Sequence, residues 1–65
     1  MNDHLSQAVL KILAEFIKTR GRKIVYPDYN EVYKLEHEET FFELDDFTTG
    51  QCNIWIDGQF AGTIA

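Results

Sequence analysis

Apolar side chains in the first third of the chain recur at helical spacing. Leu5, Ala8, Val9, Ile12, Leu13, Phe16 and Ile17 fall on one side of a 3.6-residue repeat. Leu10 and Ala14 widen that arc to about half the circumference, while Gln7, Lys11, Glu15 and Lys18 hold the polar remainder. The spacing predicts a helix over 3–20. Asp3 is the expected N-cap, accepting amides of the first turn. Gly21 is the expected left-handed C-terminal cap, with Lys18 and Arg20 facing the negative end of the helix dipole.

Beyond Gly21 the period falls to two, and β-branched and aromatic residues become frequent. Strands are expected over 22–26, 31–38, 40–47, 52–56 and 60–64. The first stops at Pro27, where Tyr26-Pro27-Asp28-Tyr29 suits a turn. Glu38 and Glu39 turn the second strand into the third, and Thr48-Thr49-Gly50 loops onward. Asp57-Gly58 between apolar runs is the strongest hairpin signal in the chain. The order predicts an α+β fold over 1–65: one N-terminal amphipathic helix packed on a four- to five-stranded antiparallel meander sheet.

That hairpin lets faces be assigned. A two-residue turn sets Ile56 against Gln59, Trp55 against Phe60, Ile54 against Ala61 and Asn53 against Gly62. Cys52, Ile54, Ile56 and Ala61 then share one face, and Trp55, Phe60 and, further on, Ile64 the other. Phe41 and Phe42 likewise point to opposite sides. One helix covers one face, and an open antiparallel face should be polar. This one is not, so the second face is expected to meet another chain through Trp55, Phe60, Ile64 and Tyr33, as a homodimer.

At 65 residues, a single core is marginal without a disulfide, a metal or a partner. Cys52 has no second cysteine to pair with, and His4 and His37 stand apart, so no metal or cofactor is expected and association is the remaining support. A lone thiol without a signal peptide fits a reducing cytoplasm, and the helix is too short and too striped to span a membrane.

Charge divides the chain. Residues 1–27 carry five cations against two carboxylates, residues 28–65 one cation against nine, for a formal net charge of −5. Glu36, Glu38, Glu39, Glu43, Asp45 and Asp46 crowd into the third quarter. No EF-hand spacing accompanies them. They read as a solvated surface guarding a sheet edge, as a dock for a basic protein, or as a mimic of nucleic-acid phosphates. Lys18, Arg20, Arg22 and Lys23 surround a helix end, but the neighbouring acidic segment repels a polyanion, so nucleic acid is not an expected partner.

Nothing places a base beside Cys52, which alternates with Ile54 and Ile56 as a small buried hydrophobe. His37-Glu38-Glu39-Thr40-Phe41 lacks the second histidine of a zincin helix. The glycines are isolated, so no phosphate-binding loop is formed. The expectation is a small acidic protein–protein interaction module, a regulator, inhibitor or accessory subunit without catalytic activity, self-associating through the apolar face. The alternative is an acidic decoy occupying the nucleic-acid site of a basic protein.

Overall fold

Helical periodicity followed by strict alternation produces one helix laid across one sheet. The computed structural model describes residues 5–27, 30–47 and 49–64. Helix α1 is Gln7–Arg20; strands β1 Arg22–Val25, β2 Asn30–His37, β3 Thr40–Phe47, β4 Cys52–Ile56 and β5 Gln59–Ile64 follow. The sheet runs in sequence order, β1-β2-β3-β4-β5, antiparallel throughout. This is the expected α+β meander.

The helix starts later than its periodicity suggests. Ser6, not Asp3, is the N-cap, its Oγ accepting from the Val9 amide at 3.3 Å; Asp3 lies outside the described residues. Leu5, counted in the helical stripe, precedes the helix and donates its backbone N–H to the Ala61 carbonyl at 3.0 Å. The competing sheet bond wins because it satisfies an edge carbonyl of β5. Gln7 Nε2 does the same for the Thr63 carbonyl at 2.7 Å.

The C-terminal end also departs from expectation. Gly21 is extended, at φ −82° and ψ 172°, not left-handed. Glycine is needed there for closeness: a Cβ would sit 2.5 Å from the Ile17 carbonyl oxygen and 3.0 Å from that of Lys34. The chain thus passes from helix to β1 through a gap that admits no side chain.

The core lies between α1 and one sheet face. Ile17, Leu44 and Ile54 are fully buried and Leu10 is 1% exposed; Ala14, Cys52 and Ala61 complete the cluster. Burying each large aliphatic side chain contributes about 1.5–3 kcal/mol. Leu13, Tyr33, Leu35, Phe42, Ile56 and Ile64 pack around it. The helix therefore covers the Leu44–Ile54 face. Its apolar arc exceeds what the sheet accepts, and Ile12 stays 70% exposed.

Two of the hairpins turn on paired left-handed residues. Asp57 and Gly58 have φ 50° and 81°, as the Asp-Gly signal requires. Glu38 and Glu39 adopt φ 50° and 67° with no glycine to ease it. Asp28 and Tyr29 of the Pro27 turn lie outside the described residues; Tyr26 N–H still reaches the Asn30 carbonyl at 3.0 Å.

Candidate interaction surface

The sheet face turned away from α1 is built by alternation. Register places Val32, Asp45, Asn53 and Thr63 in one row across it, and Lys34, Glu43, Trp55 and Phe60 in the next. The Trp55 and Phe60 rings meet edge-on, 5.1 Å between centroids. Phe41, 41% exposed, belongs to the same face two residues before Glu43 along β3. Phe41 N–H donates to Asp57 Oδ1 at 2.9 Å and its carbonyl accepts from Asp57 N–H at 2.7 Å, which ties the aromatic end of the face to the last hairpin. Val32 is buried here, outside the core cluster.

Two carboxyls sit amid these rings. Burial pushes the Glu43 carboxyl above its ordinary range; a hydrogen bond with Asp45 and that residue's charge push it further, and Lys34 opposes. Asp45 Oδ1 and Trp55 Nε1 are both shielded from solvent without a hydrogen-bond partner. Each such orphan costs about 1–3 kcal/mol. The face thus holds an unmet acceptor and an unmet donor beneath its aromatic surface.

Glu43→Gln checks this electrostatic arrangement. A carboxyl raised by folding contributes stability that is complete below its unfolded value and lost as pH rises through its folded value. The variant should therefore melt higher than the parent at pH 7 and lose that advantage near pH 4, read by thermal melts at both pH values.

The interface residues expected from sequence separate. Trp55 and Phe60 come together on the open face. Tyr33 and Ile64 do not join them: both pack against the core on the helix side. For Ile64 the cause is a β-bulge between Ile54 and Trp55, where the register jumps from Trp55↔Phe60 to Ile54↔Gly62. Ala61 is the extra residue, and every later side chain of β5 changes face. For Tyr33 the cause is register, since it pairs with Leu44 and shares its side. Lys18 lies 5.9 Å above its ring, and its hydroxyl donates to Glu31 at 3.2 Å.

Alternation also divides the acidic cluster. Glu36, Glu43 and Asp45 lie on the open side, while Glu38 and Glu39 form a turn. Asp46 lies on the helix side, 3.1 Å from Lys18 Nζ, and accepts from the Cys52 thiol at 3.4 Å. Its hydrogen bond holds the Lys18 ammonium above its ordinary value. Burial and the same carboxylate push the Cys52 thiol up, away from the reactive thiolate. Lys23 bridges Glu31 at 3.1 Å and Arg20 lies over Phe16, so these cations of the basic cluster serve internal contacts. His37 meets Glu38 at 3.2 Å and stands at 81° to the Phe16 ring, 5.2 Å between centroids.

An open depression of about 370 Å³ lies between Leu5, Ile56, Asp57, Gln59, Phe60 and Ala61. Among the described residues Asp57 is its one ionisable lining group, and the Phe41 amide occupies an oxygen of it. Among the described residues no three His, Cys, Asp or Glu side chains converge on a metal-sized centre, and no helix is long and apolar enough to cross a membrane. No protein-family model, curated protein or solved structure matches this chain.

Proposed function

We propose that this chain is a small, non-catalytic protein–protein interaction module that docks a basic segment of another protein on its open sheet face. One observation carries the reading: exposed Phe41 and Phe60, with half-buried Trp55 against the latter, present aromatic surface on the face the helix leaves uncovered, beside the Glu43–Asp45 carboxyl pair. Aromatic rings anchor interfaces, and cations pair with both carboxylates and ring faces. A second copy stacked face to face about an axis through β3 would bring Glu43 and Asp45 against their own like charges. The geometry therefore favours a cationic partner at this face. The split of the acidic cluster across two sides and a turn favours docking over mimicry of a continuous phosphate row.

The test is capture of partners from nuclease-treated host lysate by the tagged chain, washed at low and high salt. A stoichiometric partner lost with Trp55→Ala and Phe60→Ala but kept with Glu38→Ala supports docking at this face. A partner indifferent to both aromatic variants and released by salt alone supports the decoy and overturns the docking reading. Recovery of the bait alone overturns it too.

A further inference from the structure

The two edges of the sheet are treated differently. On β5 the outward carbonyls of Ala61 and Thr63 are taken by the Leu5 amide and the Gln7 side chain. On β1 the bond from Tyr26 N–H to the Asn30 carbonyl marks that pair as a hydrogen-bonded one. The alternation of an antiparallel ladder then makes Ile24↔Val32 and Arg22↔Lys34 the next bonded pairs. Lys23 and Val25 turn their N–H and C=O groups away from β2, and no other described segment pairs with them.

Edge strands are ordinarily guarded by an outstretched lysine. Here the guard is drawn aside: Lys23 Nζ is held 3.1 Å from Glu31 on the neighbouring strand, which keeps its ammonium raised and paired. Val25 is 62% exposed and Tyr26 44%. The edge is cationic at Arg22 and Lys23 and apolar from Ile24 through Tyr26, the stretch on which a second strand would lie.

We infer that two copies of this chain pair through antiparallel β1 edges, with Lys23 of one opposite Val25 of the other, joining two sheets into one. Self-complementarity selects this register. It forms two hydrogen-bonded pairs, sets Ile24 against Ile24 at the two-fold axis, and lays each Arg22 beside the other copy's Tyr26 ring. Sliding two residues one way puts Lys23 against Lys23. Sliding two the other way puts Lys23 against Pro27, which has no N–H to give. A slip of one residue sets helix-side positions against open-side ones. The contact leaves both open faces uncovered and does not depend on what docks there.

The experiment combines cysteine cross-linking with sedimentation of the full chain. Ile24 lies in a non-hydrogen-bonded pair across the axis, where Cα atoms are about 4.5 Å apart, a span a disulfide bridges. Under mild oxidation Ile24→Cys should form covalent dimers at least about tenfold faster than Val25→Cys, although Val25 is the more exposed, because pairing raises the effective thiol concentration only at the axis. The parent chain, with Cys52 buried, is the background. Val25→Pro removes an outward N–H and spares the inner ladder, so it should keep the parent's circular dichroism and lose its dimer. Trp55→Ala should keep the dimer, which separates failure of this contact from failure of the docking face. Val25→Cys linking as fast as Ile24→Cys overturns the proposal, as does a folded Val25→Pro dimer or a parent that sediments as a monomer at millimolar concentration. If Val25→Pro does not fold, the cysteine pair decides.

Discussion

Leu10→Ala is expected to leave most of the chain unfolded at 25 °C. Leu10 is 1% exposed and its Cδ1 and Cδ2 rest where a Cβ of Gly62 would lie, 2.8 and 3.2 Å away. Truncating such a side chain costs about 2–5 kcal/mol, and a single core below about 70 residues rarely supplies more than 3–5 kcal/mol. Urea melts followed by Trp55 fluorescence and far-ultraviolet circular dichroism measure the loss. Ile12→Ala, 70% exposed on the same helix, should change stability by less than about 0.5 kcal/mol. Gly62→Ala tests the seat from below. Its methyl meets Leu10 and its φ of 151° is one that L residues rarely adopt, so it should destabilise by about 1–3 kcal/mol.

The second large effect has the opposite sign. Glu38 and Glu39 both hold left-handed backbone angles in the β2–β3 turn, a conformation that costs a residue with a Cβ about 1–2 kcal/mol. Changing the pair to Asn-Gly supplies the residues such turns favour. The double variant should gain about 1–2 kcal/mol and melt higher by about 4–8 °C per kcal/mol for a domain of this size. Glu38 also gives up its contact with His37, an exposed pair whose loss is small. An unchanged melting temperature would mean the strain is absorbed elsewhere in the hairpin.

Much of the fold could be read from local pattern, because the helix, β3, β4 and the Asp-Gly turn each follow from spacing within a short window. Features that depend on distant contacts could not. Leu5 left the helix because a β5 carbonyl offered its amide a better partner. Position 21 needs glycine because the Ile17 and Lys34 carbonyls crowd it, not because the cap is left-handed. Ile64 changed face through a single inserted residue, Ala61, and no periodicity announces a bulge. Of the expected interface, Trp55 and Phe60 were legible from hairpin register alone. Phe41 was legible only as one of two phenylalanines on opposite faces, until the β3–β4 register showed which side it takes. The acidic run looked like one surface because sequence proximity hides alternation.

The seat of Leu10 on Gly62 also has a consequence in time. The knob belongs to α1 and its socket to β5, with four strands between them in the chain, and the Leu5 and Gln7 clasps join the same two regions. During translation Ala14 and Ile17 can settle on Leu44 and Ile54 as β3 and β4 emerge, but Leu10 has no socket until β5 follows. The contact that locks the helix therefore joins the two most widely separated elements of the fold, so its loop closes last and the fold is secured only once β5 is in place.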